Sequence, residues 1–321
     1  MNPVRRLAAV AAGLLVLGLA ACGVADTPVP TPPGPPDVTG GAAPVAQTCT
    51  DFLQSYAPVD GNPLAIPGGS TMAKIRDRGR LIAGVSADTY LLGARNPVSG
   101  QVEGFDIDLV KQIAKAILGD EDKVQLRVIT AADRIPVLQK NDVDIVVRNM
   151  SITCDRWKDI AFSAEYYESG QKILVRKGSD ITGLDSLAGH RVCAPTGTSS
   201  MDNLIRLAPD AEPVGAASHT GCLVLLQEGK VDAITGDDTV LAGLAAQDPY
   251  AVVLDEPPFT KEPYGVGIPT EDVDMVRFVN GVLERMRADG SWEASYEKWL
   301  APTLGKSPGQ PQPQYGRTPP Q

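Results

Sequence analysis

Histidine is nearly absent from the 321 residues: His190 and His219 are the only two, which leaves little from which to build a metal site or imidazole catalysis. No Gly-x-Ser-x-Gly elbow, His-Glu-x-x-His pair or Gly-x-x-x-x-Gly-Lys loop occurs, so serine-hydrolase, zinc-protease and phosphate-cradle chemistries lack their usual frames. Positive charge is short as well. With 29 basic against 39 acidic residues the formal charge is −10, which disfavours a nucleic-acid binder, because that function needs a basic face to neutralise phosphates. Aromatic residues make up 5%, and only three are tryptophans, two of them (Trp292 and Trp299) towards the C-terminal end, which disfavours a sugar cleft built on stacked rings. The apolar run over residues 7–21 is 15 residues long, short of the roughly 20 that a spanning helix requires.

That run follows Arg5 and Arg6 and ends in Leu19-Ala20-Ala21-Cys22. A basic start, a short apolar core, small residues and a cysteine look like a bacterial lipoprotein signal over residues 1–21, with Cys22 lipidated as the first mature residue. The 27 prolines and 32 glycines are unevenly spread: seven prolines fall in residues 23–48 and five in 305–321. Residues 22–48 are therefore expected to be a lipidated cysteine plus a semi-extended tether, reaching roughly 80 Å if wholly polyproline-like. The proline-rich tail, 305–321, is expected to be disordered. The body between them has ordinary composition and is long enough for real cores.

From Arg80 onward strands and helices alternate. Residues 81–85 read as an apolar strand. Ile107, Val110, Ile113, Ala114 and Ile117 have helical spacing over 106–118, with an acid in the first turn. Val124, Leu126 and Val128 alternate as in a strand, Asp133 can cap a helix with Pro136 in its first turn, and 143–147 reads as a buried strand. A second series follows: strand 190–194, helix 200–207, helix 219–228, strand 231–235, helix 239–247 and strand 251–254. Such alternation predicts an α/β fold with mostly parallel sheets. An internal echo points to two related halves, since Leu138-Gln139 leads to Val143-Asp144-Ile145-Val146 as Leu226-Gln227 leads to Val231-Asp232-Ala233-Ile234. In each half a polar loop follows the strand, Arg148-Asn149-Met150-Ser151 and Gly236-Asp237-Asp238-Thr239, and ligands in open α/β sheets sit outside such strand ends.

Outside the cytoplasm cysteines tend to pair, and Cys49, Cys154, Cys193 and Cys222 allow three complete pairings. Cys193 and Cys222 both fall in the second half, which favours that pair and leaves Cys49 with Cys154. No two cysteines have zinc-finger spacing, and neither a metal nor a cofactor is implied.

The string Gly104-Phe105-Asp106-Ile107-Asp108-Leu109 resembles the signature of solute-binding protein family 3, the polar amino-acid binding proteins that feed ABC importers. The resemblance continues in order through Arg134-Ile135-Pro136-Val137-Leu138-Gln139, Val143-Asp144-Ile145, Ser151-Ile152-Thr153 with Arg156, Phe162-Ser163 and Tyr166-Tyr167-Glu168-Ser169-Gly170-Gln171. It then takes in Leu187-Ala188-Gly189, Gly197-Thr198 and Gly229-Lys230-Val231-Asp232-Ala233 with Asp237-Asp238. With the lipoprotein-like start, the whole is similar to the glutamine- and glutamate-binding lipoproteins of actinobacteria. The resemblance implies a two-lobed periplasmic binding protein fold of type II, its cleft lying between lobes joined by two crossover strands near 168–172 and 259–265. Residues 49–171 and 262–304 would form the first lobe and 172–261 the second.

A free amino acid carries a carboxylate and an ammonium, and burying either without a partner is costly, so its site needs a guanidinium and an acid. The resemblance assigns Arg156 to the ligand α-carboxylate, Ser151 and the backbone at Asn149 to supporting hydrogen bonds, and Asp237 to the ammonium. Asp237 can equally cap the helix opening at Thr239. Thr198 and Ser199 lie in a strand-to-helix loop whose N–H groups and hydroxyls suit the same carboxylate. Tyr90 is placed over the aliphatic part of the ligand or, equally well, packed on the protein. Where glutamine binders can carry a lysine this chain has Pro195, while Arg148 stands where small residues are common. Arg148 then either faces an acidic ligand side chain or pairs with a protein acid at the rim. The implied role is a lipid-anchored, extracytoplasmic, monomeric binding protein, not an enzyme. Its ligand would be glutamate, aspartate or their amides, and its partner an ABC permease or a membrane sensor.

Overall fold

The computed structural model describes residues 49–318; Cys22, the signal segment and the tether lie outside the described residues. Two sheets are built on one plan. In the first, strands run in the order Val124–Val128, Leu81–Val85, Ile145–Val146, Gly267–Ile268, Ala161–Phe162. In the second the order is Glu212–Ala216, Arg191–Pro195, Ala233–Asp237, Tyr167–Arg176, Ala251–Val253. The first three strands of each sheet are parallel, and the fourth runs against them because it arrives from the other lobe. This matched order is the three-dimensional form of the sequence echo.

Tyr167–Arg176 leaves the first lobe and enters the second, and Thr260–Tyr264 returns beside it, with Tyr167 opposite Tyr264 and Gln171 opposite Thr260. These are the two crossover strands. Helix Phe105–Leu118 buries Phe105, Ile107, Val110, Ile113 and Ile117 against the first sheet. It shares that core with helix Val273–Asp289 and with Trp292 and Tyr296. Each such aromatic or aliphatic side chain taken from water stabilises the lobe by about 1.5–3 kcal/mol. Gly104 opens helix Phe105–Leu118 at φ +144, where a Cβ would lie 2.3 Å from the Leu92 carbonyl oxygen, so no other residue fits.

Helices Ser199–Leu207, His219–Gln227 and Asp238–Gln247 cover the second sheet. Thr198 and Ser218 cap the first two, their hydroxyls accepting from the N–H groups of Met201 and Gly221, both at 3.2 Å. Disulfides join Cys193 to Cys222 and Cys49 to Cys154, with Cα separations of 5.6 and 6.1 Å.

Two expectations need correction. Asp133 makes no capping bond to helix Arg134–Gln139; its carboxylate turns back to accept from the N–H and hydroxyl of Thr130 at 2.9 and 2.6 Å. The tail is not disordered through Thr318. Gln314–Tyr315 pairs in parallel with Gln54–Ser55, Tyr315 donates to Glu284 at 2.9 Å and Gln310 to the Leu283 carbonyl at 3.0 Å. Among the described residues no helix is long and apolar enough to cross a membrane.

Candidate functional site

The strand ends of the two sheets face each other, and side chains from both meet between them. Asp106, in the first turn of its helix, is 2% exposed and accepts from the Tyr166 hydroxyl and the Asn149 N–H, both at 2.8 Å. Burial pushes its carboxyl up to about 6. The bond fixes Asn149 in the left-handed region at φ +36, a conformation asparagine tolerates better than most residues. It shapes the 148–151 loop and leaves the buried Asn149 Oδ1 without a protein partner.

Arg156 follows in the short turn Arg156–Lys158. Its guanidinium donates to the Ser151 carbonyl at 2.7 Å and, across the cleft, to the Gly197 carbonyl at 3.5 Å. Ser151 Oγ lies 3.1 Å from Ser199 Oγ, a second bridge between the lobes. Ser199 in turn donates to Glu262 at 2.7 Å. Thr198 spends its hydroxyl on the helix cap and on the Pro195 carbonyl at 2.6 Å, so the polar groups it has left for a ligand belong to the backbone.

Arg148 is buried, and among the described residues the one hydrogen bond of its guanidinium runs from Nε to the Ile129 carbonyl at 3.0 Å. Among the described residues no carboxylate lies within 4.0 Å of it, so the alternative of an ion pair at the rim does not form there; Asp88, Asp106 and Asp133 act on it only from farther off.

Asp237 takes the N-cap position of helix Asp238–Gln247 but makes no capping bond. Its Oδ2 accepts from the Tyr264 hydroxyl at 2.7 Å, and its buried Oδ1 has no partner. Burial first, then the nearby charge of Glu262, pushes this carboxyl up to about 7. The neighbouring Asp238 does the helix work instead, accepting from the Thr239 N–H and Ser169 hydroxyl, both at 2.6 Å. Tyr90 is 45% exposed, and its backbone abuts Gly243 of the second lobe, at the junction of the two lobes.

One residue that the sequence reading assigned no site role is central. Arg134, 3% exposed, donates to the carbonyls of Ala131 at 2.9 Å, Arg148 and Asn149 at 3.3 Å, and Gly197 at 3.1 Å. The available signal was its place: a cation in the first turn of a helix opposes the macrodipole and needs a reason. Arg134 is close enough to Arg148, Arg156 and Asp237 to feel all three charges, and burial pushes all three guanidiniums below their ordinary value. Guanidinium stays charged even so. Three cations are thus buried together, and among the described residues none forms an ion pair. Buried His219 accompanies them, held to the Thr235 carbonyl at 3.2 Å and pushed down to about 4, so it is neutral at pH 7.

Known proteins resemble the chain over most of its length. The ABC transporter glutamine-binding protein GlnH of Bacillus subtilis is 40% identical over 231 residues, covering 72% of this chain and 84% of that protein. The glutamate-binding protein GluB of Corynebacterium efficiens is 31% identical over 250 residues, covering 74% and 83%. Among solved structures, an ancestral amino acid-binding protein described as a precursor of cyclohexadienyl dehydratase matches with a TM-score of 0.66 at 34% identity, over 72% of this chain and all of that one. The sequence model for bacterial extracellular solute-binding proteins, family 3, matches residues 81–302, a span that contains both sheets, both crossover strands and every cleft residue described above. The chain therefore belongs to that family.

Proposed function

We propose that this protein captures a free acidic amino acid, glutamate or aspartate, by closing its two lobes, and presents it to the permease of an ABC importer without transforming it. The observation that carries the reading is the cluster of Arg134, Arg148 and Arg156, buried with no carboxylate within 4.0 Å among the described residues, in a chain whose acids outnumber its bases. Burying a cation is costly unless an anion accompanies it, so the cluster is matched by a ligand with two carboxylates. Arg156 and the backbone at Thr198 and Ser199 receive the α-carboxylate. Asp237 Oδ1 receives the ammonium, while Arg148, supported by Arg134, faces the side-chain carboxylate. Cys22 would carry the lipid that holds the body at the outer face of the membrane.

Calorimetry on Arg148→Ala tests the assignment. Each charge-assisted bond is worth about 1.5–3 kcal/mol, so glutamate affinity should fall roughly 10–100-fold while glutamine is little affected. Unchanged relative affinities sink the acidic reading. Isotope uptake in a deletion strain tests the importer role, with normal uptake and an altered metabolic response pointing to a sensor instead. Ligand altered after long incubation with pure protein would make it an enzyme.

A further inference from the structure

Residues 49–80 and 303–318 lie outside the span that the family shares, yet they meet each other on the first lobe. We propose that together they form a strap whose purpose is to hold Trp157, and through it the neighbouring Arg156, in register, with Arg317 as the positioning residue. This inference rests on Arg156 binding the ligand carboxylate.

The strap touches Trp157 on several sides. The Arg317 guanidinium sits 3.7 Å from the centre of the Trp157 ring, a cation on an aromatic face. The Trp157 indole N–H donates to the Phe52 carbonyl at 2.7 Å. Tyr56 meets the ring edge-on at 6.3 Å, and Phe162 does so from the first sheet at 5.5 Å. The Cys49–Cys154 disulfide ties the start of the strap to a residue two positions before Arg156.

Arg317 is itself locked. Its Nε donates to the Gln54 carbonyl at 3.0 Å, one Nη to the Asp51 carbonyl at 3.3 Å, and its own N–H to the Ser55 carbonyl at 3.2 Å. What it holds is a weak element. The turn Arg156–Lys158 has three residues, and its internal bonds are the few a single turn allows. Trp157 anchors one side of that turn in the strap, while Arg156 reaches the other way to Ser151 and Gly197. A guanidinium that must meet a carboxylate in bidentate geometry gains from such pre-ordering, because less freedom is lost on binding.

The test is a double-mutant cycle on the full chain, with glutamate affinity read by calorimetry. Arg317→Ala is expected to weaken binding about 5–20-fold at a temperature where circular dichroism shows the protein folded, with Arg317→Lys restoring most of it. Arg317→Gln, which keeps an amide donor at about the level of Nε for the Gln54 carbonyl but removes the cation, should behave like the alanine variant. In an Arg156→Lys background, already weakened, Arg317→Ala should add less than twofold. Wild-type affinity in Arg317→Ala with a lowered melting temperature overturns the proposal and leaves the strap purely structural, as does full additivity in the cycle. Wild-type affinity in Arg156→Lys itself would instead remove the ligand assignment on which the proposal rests.

Discussion

Arg134 of the first lobe donates to the Gly197 carbonyl of the second at 3.1 Å, so a side chain at the start of helix Arg134–Gln139 bridges the cleft directly. Gly197 is held at φ +71, and a Cβ there would lie 3.0 Å from Ala132 Cα. Gly197→Ala should therefore oppose closure more than folding. We expect roughly tenfold or greater loss of ligand affinity, with ligand-induced compaction in small-angle scattering diminished. Unaltered affinity would mean that this contact is not made in the bound state.

Stability should depend on pH through Asp237. Its carboxyl is raised to about 7, first by burial and then by Glu262, above its value in an unfolded chain. The folded protein thus retains a proton that the unfolded chain gives up, and stability falls from about pH 4 to about pH 7 by up to roughly 1.4 kcal/mol per pH unit. Below that window both states are protonated and the effect vanishes. Without ligand, Asp237→Asn should melt above the wild type at pH 8, and the two curves should converge towards pH 4. Asp106 and Glu165, also raised by burial, titrate in both proteins and cancel from the comparison.

The Cys193–Cys222 bond ties strand Arg191–Pro195 to helix His219–Gln227 across 29 residues of sequence. Loop-closure entropy for that length predicts a loss of about 3–4 kcal/mol on replacing both with alanine. Denaturant unfolding, with the midpoint compared at unchanged slope, measures it. A shift much below that would indicate that the unfolded chain is already compact near this loop.

Tyr264 and Asp237 offer a fourth test. The Tyr264 hydroxyl donates to Asp237 at 2.7 Å and lies 2.9 Å from Thr239 Oγ1, orienting the carboxylate from the returning crossover strand. Tyr264→Phe should weaken binding of every amino acid by a similar factor, roughly 10–100-fold for one charge-assisted bond at about 1.5–3 kcal/mol, because the ammonium is common to all. A loss confined to one ligand would contradict the assignment of Asp237.

The paired sheets were legible because their signals are local: buried strand runs, helical spacing over residues 106–118 and the repeated helix-to-strand phrase. The strand expected at 143–147 shortens to Ile145–Val146, although Val143 and Val147 remain buried beside it. Arg156 and Asp237 follow strand ends, where the fold rule already looks. Arg134 was hidden because its role depends on Gly197, 63 residues away in the other lobe. The tail misled for a related reason. Its proline content argues against a packed core, but its order comes from Arg317 and Tyr315 reaching partners 263 and 31 residues away. Composition counts apolar residues and cannot register such remote polar and cation–aromatic contacts. The cap expected at Asp133 gives way to one hydroxyl: Thr130 competes for its carboxylate and wins.

The parallel pairing of Gln54–Ser55 with Gln314–Tyr315 has a mechanical consequence. Both ends of the folded body leave from one edge of one lobe, which makes the first lobe a stator and the second, carrying neither chain end, the moving jaw. A pull on the two ends would load the paired strands in shear, and the Cys49–Cys154 bond would divert the N-terminal share straight into the first lobe. Force at the ends would bypass the crossover strands, so the jaw would open and close at the same ligand concentration whether the protein is free or held.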